Sequence, residues 1–180
     1  AGPQRLPRLA EAHWPHRLKT QGRTAGGLSG IDYDAERSEY LLLSDDRSDL
    51  DPARFYVAQW AAPWLQPPEA KGVVQLQRPG GGPWPARRRA EPGTPVPDPE
   101  SLRLRPGAGT LLWTSEGDVG RGFGPALYES ARDGRLLREF ALPAMFNPDP
   151  AQRRGPRDNL GLEGLALTPD GRHAWLGMEN

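Results

Sequence analysis

Three stretches of this chain decide its fold: SGIDYDAERSEYLLLSDD at residues 29–46, ESLRLRPGAGTLLWTSEG at residues 100–117 and EGLALTPDGRHAWLGMEN at residues 163–180. They align without gaps, at offsets of 71 and 63 residues. Each opens on alternating apolar residues (Ile31 and Tyr33, Leu102 and Leu104, Leu165 and Leu167), the period of a half-buried strand. Each then breaks, at Pro106-Gly107-Ala108-Gly109 and Pro169-Asp170-Gly171 in the second and third copies, and resumes with Tyr40 to Leu43, Leu111 to Trp113 or Ala174 to Leu176. Breakers between two such runs make a β-hairpin.

Two further strands fit behind the first hairpin, around Arg54 to Trp60 and Gly72 to Leu76, and two behind the second, around Pro125 to Glu129 and Arg135 to Phe140. A four-stranded antiparallel unit recurring at this interval reads as a propeller blade. The expected fold is an all-β β-propeller. Residues 1–25 form an N-terminal extension, 26–78 blade one, 79–98 a Pro/Gly-rich insert, 99–143 blade two and 159–180 the start of blade three. At this period 180 residues hold about two and a half blades of a six-bladed propeller. The chain therefore reads as a fragment whose remaining blades lie outside it. From Trp60 through Pro99 there are ten prolines, a density that strands do not tolerate. That stretch, Arg87-Arg88-Arg89 included, reads as solvated loop apart from Gly72 to Leu76.

Composition narrows the function. The chain carries 23 basic and 23 acidic residues, 22 Gly, 21 Pro and no Cys. Zero net charge argues against a nucleic-acid or membrane-surface partner, and no apolar run is long enough to span a bilayer. Absence of Cys removes disulfides, thiolate metal sites and thiol nucleophiles. Leu, Ile, Val and Phe make up only 33 of 180 residues, but six Trp and four Tyr supply buriable surface.

The repeat also aligns acids. The start of each first strand and the end of its partner lie side by side in a hairpin, which pairs Ser29 with Asp45, Glu100 with Glu116 and Glu163 with Glu179. Were these the innermost strands of successive blades, five carboxylates would converge at one mouth of the channel, with Asp46 beside them. Such a cluster repels itself unless a cation sits within it. With hard oxygen donors and only three His, calcium fits best, or magnesium with retained water. The predicted metal ligands are Asp45, Asp46, Glu100, Glu116, Glu163 and Glu179, and the predicted substrate clamps are Arg47, Arg54 and Arg121. Other motifs carry less. Gly27-Leu28-Ser29-Gly30-Ile31 lacks the second glycine position of a nucleophile elbow, His13 and His16 form a lone pair in an unpatterned stretch, and Gly120 to Gly124 lacks nucleotide-loop spacing.

Gly26-Gly27-Leu28-Ser29-Gly30-Ile31-Asp32-Tyr33-Asp34, Ser44-Asp45-Asp46-Arg47, Ala53-Arg54-Phe55-Tyr56, Ser115-Glu116-Gly117 and the run from Asn159 to Gly171, NLGLEGLALTPDG, together resemble the phytase-like family, described as having esterase-like activity of phytase. The resemblance runs from about Gly26 to the last residue. It implies a propeller exported to the periplasm or the medium, and a hydrolase of small-molecule ester or phosphoester substrates. In the propeller phytases, to which the chain is more distantly similar, carboxylate-held calcium binds phosphate and activates water at the channel mouth. The phytase calcium motifs do not align position by position, and the 60–99 insert departs from the usual spacing. Two other readings fit the residues: a non-catalytic exported propeller with structural calcium, and a sugar-lactone hydrolase in which Asn159 or Asn180 would be a metal ligand.

Overall fold

The computed structural model describes residues 5–49, 51–149, 151, 155–158 and 160–179. Strands β3 (Leu28–Asp34), β4 (Glu39–Ser44), β5 (Arg54–Gln59) and β6 (Glu69–Gln75) form one antiparallel sheet in sequence order. Strands β7 (Pro99–Leu104), β8 (Thr110–Ser115), β9 (Ala126–Ala131) and β10 (Leu136–Phe140) form a second, and β11 (Leu162–Leu167) pairs with β12 (Ala174–Met178) in a third. The chain is all-β, built from blade-like sheets. Strand β7 lies against both β3 and β11, so the first strands of the three repeats run side by side. Among the described residues there is no α-helix, and no helix long and apolar enough to cross a membrane.

Alternation along the strands explains the packing. In β4, Leu41 and Leu43 point toward the second sheet while Leu42 points away; in β8, Leu111 and Trp113 point back at the first sheet and Leu112 toward the third. Thus Leu41, Leu43, Phe55, Leu102, Leu111 and Trp113 fill the space between sheets one and two. Leu112, Leu127 and Leu165 begin a smaller core between sheets two and three.

Two regions depart from the sequence expectation. The N-terminal stretch is patterned after all: Trp14 packs on Leu42, Tyr56 and Ala58, its indole donates to the Pro68 carbonyl at 2.5 Å, and β1 (Lys19–Thr20) pairs with β2 (Arg23–Thr24). The insert is irregular, as proline demands, but it is not simply solvated. Trp84 is 4% exposed and Val96 3%, and Trp84 stacks on Tyr128 at 5.7 Å. Arg87 to Arg89 form a single 3-10 turn whose first amide donates to the Ser48 carbonyl at 2.9 Å.

Candidate functional site

The three repeats end in one backbone pattern. Where each first strand begins, the register slips by one residue: at Ser29, between Pro99 and Leu102, and at Glu163. These are β-bulges, which re-aim side chains at sheet ends. The acid pairs therefore do not face each other as plain cross-strand neighbours. Asp45, Glu116 and Glu179 lie one residue beyond their strands, and their amides donate to the carbonyls of Gly27, Asp98 and Gly161 at 2.7, 3.0 and 3.0 Å.

That equivalence exposes a residue the aligned blocks omit. Asp98 stands where the other repeats have Gly27 and Gly161. The glycines suit the crowding there: a Cβ at Gly27 would meet Asp45 Oδ1 at 2.4 Å, and one at Gly161 would meet Glu116 Cα at 2.8 Å. Extending the alignment two residues toward the N-terminus would have shown the substitution.

Carboxylate oxygens of Asp98, Glu100 and Glu116 lie within 4.8 Å of one another, as do those of Glu116, Glu163 and Glu179. Glu116 belongs to both groups and is itself held by the Gly161 amide, which donates to Oε1 at 2.9 Å. Asp98 is 3% exposed, and neither of its oxygens has a hydrogen-bond partner among the described residues, although Oδ2 lies 2.8 Å from Arg47 Nε. Arg47 thus offsets part of the cost of burying this carboxylate, and its Oδ1 is left for a further cation or a proton. Accordingly, burial first, then neighbouring acids, push Asp98 up to about 7 against the opposing pull of Arg47. The same causes raise Glu100 to about 9, with Glu163 its strongest acidic neighbour. Glu163 rises to about 7 through desolvation and its contact with Glu116, and Asp45 rises through desolvation and the charge of Asp46. An all-oxygen donor set in which Arg47 meets only one oxygen of Asp98 fits a hard divalent cation.

A family model described as phytase-like, esterase-like activity of phytase, matches residues 23–180. The chain belongs to the phytase-like family. No curated protein and no solved structure matches it. Family membership supports a hydrolase-type function on a small-molecule substrate.

Within this phytase-like chain the predicted residues separate. Glu100, Glu116, Glu163 and Glu179 come together with Asp98, while Asp45 stands apart and acts on Asp98 and Glu100 through its charge. Asp46 turns instead to Arg54, its Oδ2 2.7 Å from Nη1. Arg54 is 1% exposed and also donates to the Tyr56 hydroxyl at 2.7 Å and to the carbonyls of Thr24, Asp51 and Pro52, so it braces the loop ahead of β5. Arg47 does reach the cluster, through Asp98 and, at 3.7 Å, Asp158. Arg121 lies beside Asp118, 3.8 Å away, and donates to the Glu91 carbonyl; Arg87 approaches the same Asp118 at 3.4 Å. The Ser29 hydroxyl donates to the Pro99 carbonyl at 3.4 Å. Asn159 and Asn180 lie outside the described residues.

Proposed function

We propose that this protein is a metal-assisted hydrolase of ester or phosphoester bonds, using calcium held by Asp98, Glu100, Glu116, Glu163 and Glu179. The observation carrying this reading is the gathering of buried Asp98 with Glu100 and Glu116 within 4.8 Å, where Arg47 meets Oδ2 of Asp98 and its Oδ1 has no hydrogen-bond partner among the described residues. A cation there supplies Lewis acidity toward the ester or phosphoryl oxygen and toward water. The protein's own contribution is orientation and charge. Asp45 keeps the rim negative, and Arg47, paired with Asp98, offsets part of the acidic charge from the blade-one side. Arg121 stays on the Asp118 loop, beside that carboxylate and the Glu91 carbonyl. Asp46 and Arg54 belong to the scaffold and not to the site. Two exposed glutamates in the donor set suit the weaker affinities of exported calcium proteins, with a Kd of about 10⁻⁴ to 10⁻³ M, in keeping with a periplasmic or secreted location.

Calorimetric titration with calcium and with magnesium tests the binding. Turnover of 4-nitrophenyl acetate and 4-nitrophenyl phosphate, with and without chelator, tests the chemistry. Calcium-dependent cleavage of either is expected. Absence of calcium binding, or turnover indifferent to chelator, removes the proposal.

A further inference from the structure

The insert and the segment after β10 enclose a cleft of about 810 Å³ against the second sheet, a size suited to a small-molecule ligand. Its wall is shared with the acidic cluster. Pro97, Ser115 and Gly117 line it, and these flank Asp98 and Glu116 in the chain. The Ser115 hydroxyl accepts hydrogen bonds from the amides of Asp98 at 2.9 Å and Gly117 at 3.0 Å, so the cleft floor and the carboxylates share one piece of backbone.

The lining is more apolar than polar. Trp84, Phe123, Tyr128, Phe140 and Phe146 contribute aromatic surface, and Arg78 and Glu139 are the charged members. Trp84 is 4% exposed and its indole Nε1 has no hydrogen-bond partner among the described residues, leaving a donor unspent in the wall. A polyphosphorylated substrate needs several convergent cations. Here one arginine and one glutamate line the cleft, while Arg87 and Arg121 both lean on Asp118 and Arg47 on Asp98.

We infer that this cleft is the subsite for the apolar, aromatic or aliphatic, part of an uncharged carboxylic ester, and that the site selects such esters over polyphosphates. This rests on the hydrolase reading and narrows it. Hydrolysis places water oxygen on the acyl carbon and releases the alcohol with the second proton; the subsite holds one of the two apolar ends while the acyl carbon lies toward the carboxylates. Phe123, bridged to Asp118, and Phe146, at the end of a 3-10 turn, are half-buried and lie outside the sheets and the core clusters, so their removal trims the cleft without opening the core.

Two measurements on the whole chain, with calcium present, test it. Initial rates are compared for 4-nitrophenyl butyrate, 4-nitrophenyl phosphate and inositol hexakisphosphate. Binding of N-phenylbutyramide, an uncleaved stand-in for the ester, is followed by calorimetry. The butyrate ester should be preferred. Phe146→Ala and Phe123→Ala should each raise its KM, and the Kd of the amide, about tenfold, with kcat and calcium affinity unchanged. If the amide binds with this dependence but no ester is cleaved, the hydrolase reading fails and the subsite stands. If the amide does not bind, if the variants do not weaken it, or if phosphate substrates are preferred, the subsite inference is overturned.

Discussion

Asp98, 3% exposed and within 4.8 Å of Glu100 and Glu116, is the residue on which the proposed site depends most. The aligned acids Glu100, Glu116, Glu163 and Glu179 were legible because they recur, whereas Asp98 replaces a glycine in a single copy, two residues outside the aligned block. Asp46 and Arg54 behave differently, pairing with each other at 2.7 Å. Sequence placed them at the mouth, but a buried arginine seeks its nearest carboxylate, and side-chain direction after a strand end is not written in periodicity. The two sets should separate in calorimetry. Glu116→Gln removes the member common to both carboxylate groups; since losing a supporting contact typically costs 10- to 100-fold in metal affinity, losing this ligand should cost at least about 100-fold. Asp46→Ala should leave calcium affinity unchanged while lowering stability by about 3 kcal/mol in thermal melts, because it strands the buried Arg54 charge. Gly161→Ala should weaken calcium binding without replacing a ligand, since its Cβ would press on Glu116 Cα at 2.8 Å; unaltered affinity in that variant would mean that the backbone approach does not position Glu116.

At the level of elements, the hairpins and both four-stranded sheets followed from alternation and breakers, because those features are local. The bulges did not. A one-residue slip leaves the pattern of Leu28 to Asp34 or Leu162 to Leu167 almost intact, yet it decides where Ser29, Glu100 and Glu163 point. Packing of the insert through Trp84 and Val96 was equally invisible, since proline density reports on strands and not on burial. Neighbouring sheets are also tied by charge: Arg132, next to β9, reaches Asp34 at 2.7 Å and Glu39 at 2.5 Å on the first hairpin. Burial alone would raise the Asp34 carboxyl, but hydrogen bonds from Arg37 and the charges of Arg132 and Arg37 outweigh it and hold it below its ordinary range. A lowered carboxylate stabilises the fold above its unfolded value of 3.8 and loses that contribution as pH falls through the folded value. Arg132→Met should therefore destabilise by about 1–3 kcal/mol at neutral pH, and the gap to the unaltered protein should narrow on acidification in denaturant titrations. A gap that does not change with pH would assign the loss to packing.

For the molecule as a whole, zero net charge conceals an uneven distribution: carboxylates gather at one end of the repeats, while Arg23, Arg37, Arg54, Arg105, Arg132 and Arg138 pair with acids elsewhere. The pH dependence of stability should expose this. Without a cation, Asp98, Glu100 and Glu163 titrate near 7, 9 and 7 in the fold against 3.8 and 4.5 for ordinary Asp and Glu. Between those limits the folded state binds more protons than the unfolded chain, so stability falls as pH rises. Exposure of Glu163 to water makes its share the smallest. Calcium inverts the linkage, because occupied ligands must be ionised and binding releases their protons. At a calcium concentration of about 100 times Kd the fold should gain about 2.7 kcal/mol, and more of that gain should appear at about pH 9 than at about pH 5. Melting curves in chelator should thus slope downward with pH and those in calcium should be flat or rise. Parallel curves in the two conditions would mean that these carboxylates do not hold the ion, and would leave the raised Asp98 and Glu100 to be explained by the fold alone.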